Sequence, residues 1–467
     1  MEYAPEVIAH LAQQVTQVFK AALEQRLASN PTAVTIADVE KGMRELLRQM
    51  GAQTLSQFLS LGAGTPAAEL PCACGGTLHY QRQREATVTS VFGRITYERA
   101  YYAGCQCGKG RAPVDDQYGL VPGAVTAGLA ALLGLGGIEL SFAESRDWLK
   151  AFLLFEVSEN TIRSETQALG AVQEEREAVV CQQSQDLDYL QACLRDKTPR
   201  PTRLYGSLDA AKVRIEPRPQ GGKKPENTEA WRDMKVGCWY EAERVPPTQR
   251  STRQRDKFER EQAVFRAKNM RYYCDIKEAD AFGKLMWGTG CAVKADAVPE
   301  LVFVCDGAVW IWNLVKLHYP HAVQIVDWYH AADRLQRVAQ AAFSAASDRT
   351  PWLEQVTGDL WAGHVTPVIQ ACEQLAARCE EARQAATYFT NNAARMKYDQ
   401  FRAAGYLIGS SGTVESGCKQ IVTQRLKKPG AQWDVDGAVQ TAKARAAWLS
   451  GEWDAVCAQR AALPLAV

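Results

Sequence analysis

Two aspartates stand where a carboxylate is costly, within or at the end of short apolar runs of β type. Asp209 lies inside the strand predicted over Leu204–Val213, and Asp306 directly follows the apolar run Leu301–Cys305. A buried carboxylate is unfavourable by several kcal/mol unless cations or hydrogen-bond donors compensate it. Asp306 has the alternative role of capping the helix that follows, whereas no such role explains Asp209. The sequence therefore predicts an α/β sheet that presents acids at its strand ends.

These acids have the chemistry of a divalent metal site. Open α/β sheets bind ligands beyond their strand ends, so Asp209 and Asp306 are predicted to converge, joined by Glu415 at the start of a predicted helix. Carboxylate oxygens suit Mg²⁺, or Mn²⁺ in its place. Two such ions activate an attacking oxygen and stabilise a leaving oxygen at a phosphodiester. Asp209 and Asp306 are therefore the predicted ligands of both ions, and Glu415 is predicted to complete the shell of one of them.

Four cysteines form two further turns, each followed by glycine, around a predicted β-hairpin. They are Cys72, Cys74, Cys105 and Cys107. Four thiolates bind zinc tetrahedrally, so the pattern predicts a zinc-ribbon-like module. The Cys-x-Cys spacing is narrower than the commoner Cys-x-x-Cys. A metal-free pair of turns is therefore the alternative, and His79 is a possible substitute ligand.

A helix-turn-helix pattern follows. One helix is predicted from Phe142 to about Phe152, a turn near Leu154–Val157, and a second helix capped by Ser158. A further long helix is predicted over Gln173–Arg195. Short patterns of this kind also arise by chance, but beside the cysteine module a DNA-binding role is favoured. The predicted DNA-facing residues of the second helix are Asn160, Thr161 and Arg163.

Charge is informative only locally. The whole chain has a net charge of +1, but residues 195–275 contain 20 Lys and Arg against 12 Asp and Glu. A solvated face is one interpretation, and contact with phosphate is the one favoured beside Asp209. After Glu415, Lys419 and Arg425 extend this basic character, and Trp433 is placed to stack on a base. All three are predicted DNA contacts.

Fourteen cysteines, mostly isolated on apolar segments and without a secretory signal before them, predict reduced thiols and a cytoplasmic location. The one charge-free segment long enough to suggest a membrane span is Gln117–Ile138. It contains six glycines and runs into the helix-turn-helix pattern. A buried helix pair is predicted there, with no membrane partner.

Taken in order, these motifs resemble those of the Mutator-like DDE transposases, and within them the ISKra family of bacterial insertion-sequence transposases. The motifs are Asp209 in Asp-Ala-Ala-Lys, Asp306 in Asp-Gly, Asp327 and His330 in Asp-Trp-Tyr-His, and Glu415 in Val-Glu-Ser. Two interpretations of the Asp-Trp-Tyr-His motif stay open. Asp327 either caps the next helix, with His330 packed beneath it, or belongs to the catalytic site, with His330 in a supporting role at the scissile phosphate.

The resemblance implies an α+β multidomain protein with a ribonuclease-H-like α/β catalytic core, interrupted by a helical insertion. Six regions are predicted. They are an N-terminal helical or dimerisation region (1–66), a zinc-ribbon-like module (67–115), a helix-turn-helix DNA-binding domain with a long helix (116–198), the first part of the core (199–330), the helical insertion (331–405) and the second part of the core with the Glu415 helix (406–467).

The implied activity is binding of insertion-sequence ends, metal-dependent strand cleavage and transfer of the 3′-hydroxyl to target DNA. The implied partners are double-stranded DNA, both element ends and target, and a second copy of the chain or more, in a bacterial, nucleoid-associated setting. Two alternatives remain. One is a ribonuclease-H-like nuclease without strand transfer, and the other is a transposase-derived DNA-binding regulator.

Overall fold

The computed structural model describes residues 35–61, 66–216, 231–245, 264–409 and 411–462, together with scattered positions between 9 and 24. The fold is mixed α+β and divides into two compact units, residues 1–169 with 454–467, and residues 170–453. Much of the predicted basic stretch, at 217–230 and 246–263, lies outside the described residues. So does most of the predicted region before residue 35.

The first unit begins with a helix and a three-stranded antiparallel sheet of order β1-β2-β3. These elements are α1 (Ile36–Leu61), β1 (Glu69–Pro71), β2 (Thr77–Ser90) and β3 (Gly93–Ala103). Alternate residues of β2 and β3 are buried, and Val88, Ile95 and Tyr97 pack with Leu59 of α1 in one apolar cluster. The period-two pattern of the hairpin therefore forms the core beneath α1.

Helix α1 starts at a reciprocal cap and continues through a glycine. The Thr35 backbone N–H donates to Asp38 Oδ2 (3.0 Å), and the Asp38 N–H donates to Thr35 Oγ1 (3.3 Å). A β-carbon on Gly51 would lie 2.5 Å from the Phe92 ring. Gly51 therefore makes room for that ring. Glycine often follows the last residue of a helix, so the sequence predicts a helix end at Gly51. This prediction is wrong, because the helix continues to Leu61.

The helical part of the first unit contains the predicted helix-turn-helix. Its elements are α2 (Pro113–Tyr118), α3 (Ala127–Glu139), α4 (Phe142–Leu153) and α5 (Glu159–Gln183). Ser158 Oγ accepts the Thr161 N–H (3.1 Å), which is the predicted cap. The second helix runs unbroken to Gln183, and a separate helix, α6 (Leu187–Arg195), follows. The prediction of one further helix over Gln173–Arg195 is therefore wrong.

The charge-free segment Gln117–Ile138 contains the last two residues of α2, a non-helical connection over 119–126 and most of α3, so only one helix of the predicted pair lies largely within it. Leu129, Leu133 and Ile138 of α3 are fully buried. Their burial accounts for the absence of charge. Within the described ranges, no helix combines the length and apolar character that a membrane crossing requires.

The second unit is built on a five-stranded mixed sheet of order β6-β5-β4-β7-β8. Its strands are β4 (Arg203–Arg214), β5 (Trp231–Arg244), β6 (Phe265–Asp275), β7 (Glu300–Cys305) and β8 (Val323–Val326). The pairs β4–β5 and β5–β6 are antiparallel, whereas β4–β7 and β7–β8 are parallel. Three parallel strands therefore lie side by side at one half of the sheet.

The remaining helices of the described residues follow β6 in the chain, and the last of them, which starts at Trp453, lies almost wholly in the first unit. They are α7 (Ala279–Ala292), α8 (Val309–His318), α9 (Trp328–Ala342), α10 (Ala346–Trp361), α11 (Val365–Leu375), α12 (Glu380–Asn392), α13 (Tyr398–Ala403), α14 (Ser411–Gly417), α15 (Gln424–Leu426), α16 (Val435–Leu449) and α17 (Trp453–Ala462). A π-helix, Cys418–Thr423, joins α14 to α15.

Aromatic rings form the core on one face of the sheet. The Trp239 ring meets Phe303 and Tyr319 edge-on, at centroid distances of 5.5 and 5.6 Å. Tyr273 of β6 lies across β5 at Gly237, where a β-carbon would come within 2.1 Å of the ring. Gly237 thus admits an aromatic ring against the strand, which a larger residue would exclude.

A buried ion cluster joins α5, β6 and α16 within the second unit. Lys443 is 1% exposed, and its ammonium contacts Glu177, the Cys274 carbonyl (2.9 Å) and Asp275 (3.2 Å). Burial opposes the charge of Lys443, but the carboxylates of Glu177 and Asp275 outweigh it and raise its pKa. Removing the cation would leave two carboxylates buried with less compensation.

We therefore expect Lys443→Met to lower the free energy of unfolding by about 3 kcal/mol or more, because a broken buried ion pair leaves uncompensated charge. Urea denaturation followed by tryptophan fluorescence measures this. Lys212→Met is the matched control, since Lys212 pairs with Asp233 on the surface (3.0 Å) and should cost less than about 1 kcal/mol. Equal effects of the two variants would contradict the assignment.

Candidate functional site

The parallel pairing of β4 with β7 aligns two of the predicted acids. Gly206 pairs with Phe303, so the same register three residues further along sets Asp209 opposite Asp306. The Leu208 N–H points to Cys305 Sγ at 3.3 Å, which keeps the two strands together up to that point. Neighbouring strands lie about 4.8 Å apart. Asp209 and Asp306 therefore occupy adjacent positions at one edge of the sheet.

The pairing of β7 with β8 adds a third acid to the same row. Cys305 pairs with Val326, and the next residues on the two strands are Asp306 and Asp327. The Asp327 N–H donates to the Cys305 carbonyl (2.8 Å), so the pairing extends to Asp327. Asp306 and Asp327 thus directly follow β7 and β8, and Asp209 lies at the same level within β4, which continues to Arg214.

Asp209 is half-buried and interacts with both neighbouring elements. Its Oδ1 accepts the Ala210 N–H (2.7 Å), and the Cys418 thiol also donates to its carboxylate. Burial raises the pKa of Asp209, and the negative charges of Asp306 and Glu415 raise it further, against the effect of the two donors. The carboxylate lies in an electronegative, partly desolvated place, where a cation would stabilise its charge.

Asp306 combines the two roles that its sequence position allows. Its Oδ1 accepts the Ala308 N–H (2.9 Å), which turns the chain from β7 into α8. The residue is half-buried, and its charge acts on Asp209 and on His330. The turn-forming bond therefore orients a carboxylate that also belongs to the acidic row.

Asp327 and His330 show that the Asp-Trp-Tyr-His motif does more than cap a helix. Asp327 is fully buried, and its Oδ1 accepts the N–H groups of Tyr329 (2.8 Å) and His330 (3.1 Å) at the start of α9. The His330 ring is not packed beneath the helix. Its Nδ1 lies 3.4 Å from Asp327 Oδ1, and its Nε2 lies 3.2 Å from Glu415 Oε1.

The surroundings of His330 favour its charged form. The hydrogen bond to Asp327 raises the pKa of His330 most. The charges of Asp327, Glu415 and Asp306 add to it against partial burial, giving a pKa of about 9. An imidazolium at neutral pH donates from both ring nitrogens, so His330 links the buried Asp327 to the half-exposed Glu415.

Glu415 is carried on α14, which packs against β4 and β5. The π-helix that follows has wider turns than an α-helix, a feature frequent at functional sites. At its start Cys418 is buried against Asp209, and burial followed by the Asp209 charge raises the pKa of this thiol. The next residue, Lys419, is exposed, and its predicted DNA contact stays a prediction.

The donor set fits a hard divalent cation, because it consists of carboxylate oxygens. Within the described part of the chain, however, the four cysteines are the only group of three or more potential ligands near enough to share one ion. Glu415 instead lies beside His330. For Glu415 to join Asp209 and Asp306 on a metal, its carboxylate has to turn away from the imidazole.

Two predicted DNA contacts are wrong. Arg425 is 1% exposed and Trp433 5% exposed, and the Arg425 guanidinium carbon lies 4.9 Å from the Trp433 ring centroid. The Trp433 indole N–H donates to the Leu426 carbonyl (2.9 Å). Burial therefore places this pair in the protein core, where neither side chain can reach a base or a phosphate.

The predicted DNA-facing residues of α5 have mixed positions. Asn160 is exposed, and its Oδ1 accepts from the half-buried Arg163 (2.9 Å). Thr161 is half-buried, and its hydroxyl lies 2.8 Å from that of Ser158 in the helix cap. Asn160 and Arg163 are accessible in part, and their contact with DNA stays a prediction.

One residue beside the acidic row was not indicated by the sequence. The ring of Tyr388, from α12, lies so close to Gly307 that a β-carbon there would be 2.0 Å from it. The glycine of the Asp-Gly motif thus accommodates this ring directly after Asp306. The glycine of the Asp-Gly pair permits such a contact, but nothing in the sequence indicates that Tyr388 makes it.

The four predicted zinc ligands come together. Cys72 Sγ lies 3.5 Å from Cys107 Sγ, and Cys74 Sγ lies 3.4 Å from Cys72 Sγ and 3.3 Å from Cys105 Sγ. Tetrahedral zinc, with Zn–S bonds of about 2.3 Å, sets its sulfurs about 3.8 Å apart. The cluster could therefore hold zinc with small adjustments. His79 is not one of this group and pairs with Glu69 (3.2 Å).

A backbone hydrogen bond in the first cysteine turn stabilises the thiolate of Cys74. The Gly76 N–H, followed by the neighbouring thiols, lowers the pKa of Cys74 to about 7. The Cys107 N–H acts in the same direction on Cys105, but the Cys74 sulfur and burial outweigh it and raise the pKa of Cys105 to about 12. The Cys74 thiol thus ionises more readily than an ordinary thiol, and a bound metal ion would favour its thiolate further.

No protein-family model matches the chain. No curated protein sequence matches it either. Among solved structures, it shows a weak similarity to the Drosophila P element transposase strand transfer complex. Sequence identity is 10%, the alignment covers 70% of this chain and 79% of that chain, and the TM-score is 0.21.

We expect the purified protein to contain about one zinc ion per chain, because four thiolates complete its tetrahedral shell. Cys72→Ser should remove most of it, as measured by atomic emission and by the thiolate charge-transfer band after cobalt substitution. Cys193→Ser is the matched control, since this half-buried cysteine lies outside the cluster. Zinc retained fully in Cys72→Ser would exclude the site.

We expect His330 of the metal-free protein to titrate near pH 9, above the ordinary value of about 6.5. Because the folded-state pKa is raised, the contribution of His330 to stability is complete below about pH 6.5 and is lost as the pH rises through about 9. Imidazole NMR shifts, assigned with His330→Gln, measure this. Titration at or below pH 6.5 would contradict the observed contacts.

Proposed function

We propose that the chain is a metal-dependent polynucleotidyl transferase of the DDE type, with the five-stranded sheet as a ribonuclease-H-like core. The observation that carries the proposal is the row formed by Asp209 within β4 and by Asp306 and Asp327 directly after β7 and β8, with Glu415 brought to it on α14. So many acids in one partly desolvated place favour a multivalent cation.

Asp209 and Asp306 would hold Mg²⁺, with Glu415 completing the shell of one ion. When bound, the ions polarise the phosphodiester and stabilise the attacking and leaving oxygens. The Ala210 and Ala308 N–H groups fix the orientation of the two aspartates. Asp327, whose Oδ1 already accepts two backbone N–H groups at the start of α9, would act by orienting His330.

In the absence of metal and DNA, His330 would hold Glu415 by an ion pair. Its imidazolium donates to Glu415 Oε1 and so compensates that carboxylate in the free enzyme. With Glu415 among the metal ligands, the His330 ring would be free to face a phosphate of bound DNA. There it can donate a hydrogen bond to a phosphate oxygen, which is the supporting role implied by its motif.

The finer assignment rests on the order of motifs. We propose an ISKra-type transposase of the Mutator-like group that binds insertion-sequence ends, cuts them and transfers the 3′-hydroxyl to target DNA. The helix-turn-helix around Ser158 and the cysteine module would recognise the ends, and the helices α9 to α13 would be the insertion in the core. Synapsis of two ends would require a dimer or a larger assembly.

Strand cleavage and joining test the proposal. On a labelled duplex carrying the element's own terminal repeat, with Mg²⁺, we expect cleaved and joined products from the parent. Asp306→Asn should lower both by at least about a hundredfold, because one carboxylate is lost from the electrostatic site.

The matched control is Asp296→Asn, which changes an exposed aspartate that pairs with His321 (3.3 Å). It should act like the parent. Cleavage without joining would favour the nuclease alternative. Specific end binding without cleavage under any divalent metal would contradict an enzyme and leave the regulator.

A further inference from the structure

We propose that Arg334, which lies over the ring of Tyr388, binds a backbone phosphate of the DNA beside the acidic row. The inference rests on the proposed function, since it assigns the residue that receives the substrate of the same site. Both side chains come from the helical stretch between β8 and α14, on α9 and α12.

The first step is the position of Tyr388. Its ring lies against the backbone of Gly307, directly after Asp306. Burial raises the pKa of Tyr388 to about 12; the charge of Arg334 opposes this shift, and the charges of Asp306 and Asp327 add to it. The ring therefore forms one wall of the acidic site.

The second step is the position of Arg334. It follows His330 by four residues on α9, so both lie on one face of the helix. Its guanidinium carbon is 3.9 Å from the Tyr388 ring centroid, a stacked cation–π contact. A chain of contacts, Arg334 on Tyr388 and Tyr388 on Gly307, thus connects an exposed cation to Asp306.

The third step is the chemistry of the guanidinium. A guanidinium has five N–H donors, so its contacts with the ring and hydroxyl of Tyr388 leave donors for an external acceptor such as phosphate. Among the residues that the structure describes, no carboxylate lies within ion-pair distance of Arg334. Arg337, three residues later, pairs with Asp333 at 2.6 Å. Arg334 is therefore the arginine of this helix whose charge is available to an external anion.

The fourth step is the need for such a cation. Asp209, Asp306, Asp327 and Glu415 repel a DNA backbone, and bound metal ions compensate them only at the scissile phosphate. A neighbouring phosphate requires a separate positive charge. An arginine immobilised on an aromatic ring loses little conformational entropy when it binds, which favours it for this position.

The test separates DNA binding from catalysis. We would measure the dissociation constant for the terminal-repeat duplex as a function of salt, by fluorescence anisotropy with Ca²⁺ in place of Mg²⁺. Arg334→Ala should reduce the slope of log Kd against log salt by about 1, the value for one lost phosphate contact. Arg337→Ala, the control on the same helix, should leave the slope unchanged.

Cleavage in Mg²⁺ supplies the second readout. Arg334→Ala should raise KM for the duplex at least about tenfold, and Arg334→Lys should restore part of the loss, because lysine keeps the charge but not the stacked plane. An unchanged slope and KM in Arg334→Ala would overturn the inference while leaving the acidic site intact. A parent protein that never cleaves, with the slope still reduced by Arg334→Ala, would instead reject the proposed function alone.

Discussion

The parallel register of β4, β7 and β8 is the constraint on which the acidic site depends. It sets Asp209, Asp306 and Asp327 in one row, about one strand spacing apart. Two unit charges at that distance repel by about 3 to 4 kcal/mol at an effective dielectric of about 20. The fold therefore brings several negative charges close together, and nearby hydrogen-bond donors, cations or protons are needed to stabilise them.

The surrounding structure relieves this charge in three visible ways. Backbone N–H groups at Ala210, Ala308 and Tyr329 bind the carboxylates, the Cys418 thiol donates to Asp209, and the His330 imidazolium bridges Asp327 and Glu415. None of these is a divalent charge. The proposed metal ions account for why the acids face one another at the sheet edge when each could have been a neutral residue.

The sequence predicted which acids and which cysteines lie near one another better than it predicted the contacts of the residues around them. An acid inside an apolar strand has few explanations, so Asp209 was identified directly, and four cysteines in two glycine-containing turns marked the cluster that the structure brings together. The strand register could not be predicted, because it depends on pairing between segments far apart in the chain. For the same reason neither the contact of Tyr388 with Gly307 nor the turn of His330 towards Glu415 was visible.

The errors have physical causes of the same kind. Arg425 and Trp433 look like a basic and aromatic DNA surface, but the π-helix before them changes the spacing of the faces, and the two residues pack on each other in the core. Gly51 looks like a helix end, but it accommodates the Phe92 ring. Local patterns identify residue types suited to a role, whereas tertiary packing decides which of them are accessible.

The most direct test of the central claim is a crystal structure of the protein grown with Mn²⁺, with anomalous scattering recorded at the manganese edge. The account predicts an anomalous peak bound by carboxylate oxygens of Asp209 and Asp306, with Glu415 turned away from His330, and no such peak in Asp306→Asn. A structure without manganese at these carboxylates, in which Glu415 still contacts His330 at saturating Mn²⁺, would contradict it.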